Sequence, residues 1–342
     1  MSNLVEQKND EIDLIELIKV LWDKKIWILI STFVFTAIAG VYAFTAKEQW
    51  TSSAEVIPPT ATEVGRYANA KLRFAQMANE QNVTFDSIST NLYAQFERLT
   101  FSQNERRAFF IQSDEYKRLT VDLDENTQRK VLSDLSIVKT AIVRPAPKKN
   151  QDMFGNRISF SSETPLSAQQ TLSQFIAYVS KKAFDLDKAN FQAQIVQKIE
   201  SLAIEKEEIE TLLESKKDLK ISSVDNNQSQ VTQRESSITR QPQSVQLNTT
   251  TELLTYGDDY ARLQLKLLYS RLKQLNSLQE EVKSLEGQAV SYQVSPDYPV
   301  VKDKPKRLFI LLGGAVAGGL LSALVLIMNY LFKQSRRLED KE

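Results

Sequence analysis

The chain has 342 residues, enough for two ordinary domains, and its 43 Lys and Arg side chains balance 43 Asp and Glu side chains. This balance argues against a nucleic-acid-binding protein, which carries an excess of basic charge. Because the chain contains no Cys and no His, thiol nucleophiles, His general bases, disulfides and thiolate zinc sites are excluded.

The first predicted element is an uncharged apolar run over residues 26–44. A helix of this length rises roughly 28 Å, which matches a bilayer core of about 30 Å. A cleaved signal peptide would need a small-residue cleavage site next, but Lys47, Glu48, Gln49 and Trp50 follow instead. The run is therefore interpreted as an uncleaved membrane anchor.

The next segment predicts an α/β base. Trp50–Ile57 has the β-branched and aromatic content of a strand, which Pro58 and Pro59 end. Residues 63–130 read as several short helices, and residues 135–143 and 157–160 as two further strands, separated by a loop at 144–150.

A long helical hairpin is predicted after the base. Thr164 can cap a helix that begins at Pro165, and apolar residues then recur at steps that mostly sum to seven. A helix of about 55 residues would be roughly 80 Å long. Residues 222–250 predict a polar loop, and residues 251–285 a return helix that packs antiparallel on the first. Residues 288–294 predict a last strand beside Trp50–Ile57.

A second uncharged apolar run covers residues 308–332. Within it Gly314 and Gly318 form a small-xxx-small face, which favours close helix packing; the pattern also fits the ordinary enrichment of glycine in membrane helices. Before it, Pro296, Pro299 and Pro305 predict a stiff extended segment, or a plain linker.

Orientation follows from the basic residues around the first run. Lys19, Lys24 and Lys25 precede it and only Lys47 follows closely, which places the N-terminus in the cytoplasm. Two spans return the C-terminus there, although the basic residues at 302–307 oppose this assignment. The intervening segment would then be periplasmic, or extracellular in a cell without an outer membrane.

Candidate catalytic groups are carboxylate clusters such as Glu205, Glu207 and Glu208. On a long exposed helix nothing would desolvate them and shift their pKa values, so we interpret them as a solvated face. The sequence also lacks a phosphate-binding loop and a nucleophile elbow. We expect no catalytic residue, no cofactor and no metal site.

The layout resembles the Wzz family of polysaccharide chain-length determinants, the short class of polysaccharide co-polymerases. The resemblance lies in EIDLIEL at residues 11–17, WTSSAEVIPP at residues 50–59, and the segment from Pro296-Asp-Tyr-Pro299 through Pro305 into the Gly-rich second run. It implies a ring-forming homo-oligomer in the bacterial inner membrane. It also implies a regulator that sets the length of O-antigen or a related lipid-linked polysaccharide made by a Wzy-type polymerase.

The expected fold class is α+β, with two transmembrane helices flanking a periplasmic domain that has a small membrane-proximal α/β base and a long extended α-helical hairpin. The expected segments are a cytoplasmic N-terminus (1–25), a first span (26–44), the base (45–164), the hairpin (165–287), the final strand with the Pro-rich juxtamembrane segment (288–307), a second span (308–332) and a cytoplasmic tail (333–342). Proposed site residues are Gly314 and Gly318 for transmembrane packing, and Pro58, Pro59, Pro296, Pro299 and Pro305 for a juxtamembrane structural motif.

Other functions are weighed against this one. The main alternative is a periplasmic structural adaptor or exporter component for a surface polysaccharide. A sensor would need a cytoplasmic output domain. An efflux adaptor would need Gly-rich barrel segments. A glycan-processing enzyme would need a partly buried carboxylate pair.

Overall fold

The computed structural model describes residues 14–145, 155–224 and 257–339. The helices are α1 Leu14–Asp23, α2 Lys25–Thr45, α3 Ala61–Ala78, α4 Phe85–Phe101, α5 Gln103–Gln112, α6 Asp114–Leu119, α7 Glu125–Ser133, a π-helical turn Asp134–Val138, α8 Pro165–Val224, α9 Asp258–Lys283 and α10 Arg307–Glu339. The strands are β1 Trp50–Ile57, β2 Thr140–Val143, β3 Asn156–Ser162 and β4 Ser291–Val294.

The four strands form one antiparallel sheet in the order β2-β3-β1-β4. β1 has the bounds that its composition predicted, and it pairs with β3 from Trp50↔Ser162 to Val56↔Asn156. β4 lies on the other side of β1, so the predicted return of the chain to the first strand is confirmed. The four-stranded sheet leaves β2 and β4 as its two edges.

One predicted strand is wrong over its first half. Residues 134–138 form a π-helical turn, and the strand covers only Thr140–Val143. Ser136 is buried and its hydroxyl donates to the Leu132 carbonyl 2.8 Å away, while the Thr140 hydroxyl donates to the carbonyl of Leu135 at 2.8 Å. These local bonds stabilise a helical turn at residues 134–138, which the short apolar run did not reveal.

The last strand is shorter than the predicted 288–294 for a similar reason. The backbone N–H of Ala289 donates to the Ser180 hydroxyl of α8 at 2.9 Å, and Ala289 and Val290 are both buried. A side chain of α8 therefore binds the backbone at Ala289, and pairing with β1 begins only at Ser291.

α8 is a single helix of 60 residues, which corresponds to a length of roughly 90 Å. At its start the Thr164 hydroxyl accepts the backbone N–H of Ser167 at 3.2 Å, which confirms the predicted cap. Residues 222–224 belong to this helix instead of the predicted polar loop, and residues 225–250 lie outside the described ranges. The predicted loop at 144–150 is likewise described only to residue 145.

The return helix α9 packs antiparallel on α8, as predicted. The Tyr269 hydroxyl donates to Glu210 at 2.7 Å, and the Lys188 ammonium group donates to the Leu285 carbonyl at 3.1 Å. The helix begins after Gly257, whose φ of +84° suits glycine; residues 251–256 of the predicted helix lie outside the described part of the chain.

The hydrophobic core of the base extends into the hairpin. Aromatic rings from α5, β3 and α8 meet at its centre, where Phe110 is 0% exposed and its ring centroid lies 5.5 Å from that of Phe160. Further along α8, Phe191 packs edge-on against Tyr67 and Phe74 of α3. The first half of α8 therefore belongs to the core of the base, and the same helix continues as the shaft of the hairpin.

Candidate functional site

Within the residues that the structure describes, two helices are long and apolar enough to cross a membrane. Lys25–Thr45 has a mean hydropathy of 2.0 and Arg307–Phe332 one of 2.4, and few residues of either span are buried within the protein. An exposed apolar surface of this extent is typical of helices that lie in lipid. The two spans flank the sheet and the hairpin in the chain, as the sequence predicted.

The glycine face of the second span packs directly on the first span. A Cβ at Gly314 would lie 2.6 Å from the Cβ of Ala39, and one at Gly318 would lie 2.9 Å from the Cα of Thr32. The Ser31 hydroxyl also donates to the Gly318 carbonyl at 3.3 Å. Close approach of the two backbones is possible only because these positions carry no side chain.

The first span contributes its own small residues to this contact. Thr32, Thr36 and Gly40 follow one another at four-residue steps, and Gly40 faces Leu311. This spacing is a small-xxx-small pattern that the sequence reasoning missed, although it was visible in the sequence. The partner of Gly314 and Gly318 in the structure is thus the other span of the same chain.

The predicted juxtamembrane motif is divided by the structure. Pro58 and Pro59 follow the end of β1 that is remote from the spans, where the Pro59 carbonyl accepts the Ser89 hydroxyl at 2.6 Å. Pro296, Pro299 and Pro305 lie on the segment that descends beside β1 towards the second span. This segment is extended, and Gln49 pairs with Lys304 in an isolated bridge.

Asp297 fastens the descending segment to β1. Its carboxylate accepts the backbone N–H of Ser53 and the Ser52 hydroxyl, and its own N–H donates to the Ser53 carbonyl at 3.1 Å. The Pro296 carbonyl accepts the side-chain amide of Gln169 at 3.0 Å, which ties the segment to α8. The feature of the sequence that could have indicated this contact is a hydrogen-bond acceptor, Asp297, between Pro296 and Pro299.

Glu48 connects the two span ends just outside the membrane. Its carboxylate lies 2.7 Å from the Lys302 ammonium and 3.2 Å from the Arg307 guanidinium, which itself stacks over the Phe44 ring at 4.7 Å. The hydrogen bond from Lys302, reinforced by both positive charges, lowers the pKa of Glu48 below its usual value.

This lowered pKa sets the sign of a pH effect. A carboxyl with a lower pKa in the folded state contributes stability above its unfolded value of 4.5, and this contribution is lost as the pH falls through the folded value. We expect a spin label on Asp303→Cys to become more mobile over that acidic range. Glu48→Gln should remove this part of the pH dependence, measured by electron paramagnetic resonance; an unchanged titration would contradict the assignment.

A series of ion pairs connects the C-terminal end of the first span to the base. Lys47 pairs with Glu163 at 2.7 Å, Glu163 with Arg118 at 3.4 Å, and Arg118 with Glu115 at 3.0 Å. Burial raises the pKa of Glu115, but hydrogen bonds from Arg118, Ser167 and Ser162 outweigh it, so that the pKa lies below its usual value. Because the Glu115 carboxylate accepts hydrogen bonds from Arg118, Ser162 and Ser167, we interpret it as a structural residue that holds the start of α8.

These contacts form a structural connection between the membrane spans and the hairpin. The fastened juxtamembrane segment and the continuous α8 connect the paired spans to the long hairpin. In the part of the chain that the structure describes, the carboxylates singled out in the sequence, Glu205, Glu207 and Glu208, lie on this hairpin.

Comparison with known proteins agrees with the resemblance seen in the sequence. The family described as "Wzz: Chain length determinant protein" matches residues 10–113. A chain length determinant protein of Escherichia coli strain K12 is 26% identical, covering 96% of this chain and 98% of that protein. An "ECA polysaccharide chain length modulation protein" of the same strain is 22% identical over 93% of this chain and 94% of that protein.

A solved structure confirms the fold. A full-length bacterial polysaccharide co-polymerase superposes with a TM-score of 0.60 at 20% sequence identity, covering 94% of this chain and 99% of that one. The expected α+β class, with terminal membrane helices, a small antiparallel sheet and a long helix, is thereby confirmed.

Proposed function

Because residues 10–113 of this chain match the family of Wzz chain length determinant proteins, we propose that the protein is a member of this family and regulates the chain length of O-antigen or a related surface polysaccharide. The observation that carries this proposal is the alignment with chain length determinants along nearly the whole chain. It includes the hairpin and both spans, so the proposal covers the complete architecture and not the N-terminal third alone.

We place the protein in the bacterial inner membrane with both termini in the cytoplasm and the sheet and hairpin in the periplasm. The basic residues Lys19, Lys24 and Lys25 before the first span support this orientation. A hairpin that rises roughly 90 Å from a pair of spans suits a protein that meets a growing glycan outside the membrane.

The protein acts as a homo-oligomeric scaffold beside a Wzy-type polymerase. In this proposal the polymerase forms the glycosidic bonds of the lipid-linked polysaccharide, and this chain, which is not an enzyme, limits their number. A ring of copies is the assembly we propose here.

The test compares surface polysaccharide from strains with and without the gene on a denaturing gel. We expect the modal cluster of lengths to be lost while the ladder of linked sugars persists, and re-expression of the chain to restore the cluster. Retention of an intact ladder is the expected result because the glycosidic bonds are made by another protein.

A missing ladder would contradict the proposal. It would favour the alternative, a structural adaptor or exporter component, or an enzyme of glycan synthesis. The same strains with the polymerase gene deleted provide the control, because they lack the ladder whether or not this chain is present.

A further inference from the structure

Two groups of exposed apolar side chains lie at the two edges of the sheet. The first, which we call the β2 edge, consists of Ile137, Val138 and Val143. The second, which we call the β4 edge, consists of Tyr292, Val294, Tyr298, Val300 and Val301. Val138 is 72% exposed, Val300 84% and Val301 77%, and such exposure of large apolar side chains outside a membrane span indicates a contact surface.

The register of the sheet places the two edges at matching heights. Val143 of β2 pairs with Arg157, which pairs with Glu55 of β1, and Glu55 also pairs with Val294 of β4. Val143 and Val294 therefore lie on one line across the sheet, at opposite edges. Among the described strands, none lies on the outer side of β2 or of β4.

A second line nearer the membrane matches as well. Val138 precedes Thr140, which reaches Ser52 of β1 through Phe160. On the other edge, Val300 and Val301 lie between Asp297, bonded to Ser53, and Asp303, bonded to Gln49. Both groups thus fall at the height of residues 49–53 of β1.

The membrane restricts how copies of the chain can meet. Every copy is held upright by two spans, so neighbouring copies in one membrane keep the same direction and height. Copies that turn about the membrane normal bring the β2 edge of one against the β4 edge of the next, at equal heights. Because the two surfaces differ, the contact is heterologous and closes into a ring.

We propose that the β2 edge of one copy binds the β4 edge of a neighbouring copy, with Val143 opposite Val294 and Val138 opposite Val300. This inference rests on the proposed function in one respect, the homo-oligomer. Burial of these side chains supplies the driving force, and covering both edges removes the exposed strand edges that otherwise promote aggregation. Pro296 and Pro299 prevent a continuous ladder along the descending segment, so side chains form the contact there.

The test uses cysteine pairs, since the parent chain contains no Cys. Two double variants match in height, Val143→Cys with Val294→Cys and Val138→Cys with Val300→Cys. A third, Val143→Cys with Val300→Cys, is mismatched by about four strand residues, or roughly 13 Å. The full chain is oxidised in native membranes and separated on a non-reducing denaturing gel.

We expect both matched pairs to give a ladder of covalent oligomers several-fold stronger than the mismatched pair. A bond within one copy is excluded because the edges are three strand spacings apart, roughly 14 Å, and a disulfide needs Cα atoms within about 7 Å. Each single variant should run as a monomer on this denaturing gel, because a heterologous contact never brings identical residues together.

Two results would overturn the inference. Strong dimers from Val143→Cys alone would indicate a symmetric contact between copies. Equal cross-linking yields from matched and mismatched pairs would contradict the proposed alignment of the two edges. Native mass measurement of the unmodified protein separates the two proposals: oligomers without matched cross-links refute only this interface, whereas monomers throughout refute the proposed assembly itself.

Discussion

Replacing Gly318 by Leu is expected to separate the two membrane spans and to broaden or shift the distribution of polysaccharide lengths. A Cβ at this position would lie 2.8 Å from the Cβ of Phe35 and 2.9 Å from the Cα of Thr32. One of these is backbone, so the helices themselves must move. We expect a cost of about 1–3 kcal/mol, typical of overpacking, together with loss of the bond from Ser31 to the Gly318 carbonyl.

Gly313 offers a matched control on the same helix. A Cβ there meets nothing within 4 Å, so Gly313→Leu should leave helix pairing and glycan length unchanged. Helix pairing is measured as disulfide formation between Gly40→Cys and Leu311→Cys, since these positions face each other in the structure. Normal glycan length in Gly318→Leu, with this disulfide lost, would show that pairing of the spans does not control length.

The largest loss of stability is expected for Phe110→Ala. The Phe110 side chain is 0% exposed, and its ring centroid lies 5.1 Å from that of Phe109 and 6.3 Å from that of Phe175 on α8. Truncation leaves a cavity between α5, the sheet and α8, and removing a buried Phe side chain costs about 3–5 kcal/mol. Urea unfolding of the detergent-solubilised protein, followed by near-ultraviolet circular dichroism, measures the change.

Ile111→Ala is the control for this substitution. Ile111 follows Phe110 on the same helix but is 54% exposed, and exposed substitutions usually change the free energy of unfolding by less than about 0.5 kcal/mol. Equal losses for the two variants would show that α5 does not pack as the structure places it.

The sequence was sufficient for features that depend on local composition. The apolar runs located both spans, Thr164-Pro165 located the start of α8, and the β-branched content of Trp50–Ile57 located β1 with the observed bounds. Each of these signals is carried by neighbouring residues, so one sequence suffices to find it.

Features that depend on distant residues were missed. The partner of Gly314 and Gly318 follows from how the two spans meet, and Asp297 acquires its role only when the chain returns beside Ser53. The strand predicted at 135–143 was wrong at its start because the buried Ser136 can bond within a helical turn as well as between strands. A short apolar run does not distinguish these two outcomes.

The continuity of α8 has a mechanical consequence. The first half of α8 packs against the sheet and its second half extends outward, in one helix of 60 residues. No Gly or Pro interrupts this helix after Pro165. Without such a hinge, a tilt of the base by about 5° moves the far end of a 90 Å rod by roughly 8 Å. A small change in the tilt of the base is therefore magnified at the far end of α8, which makes this helix a mechanical lever.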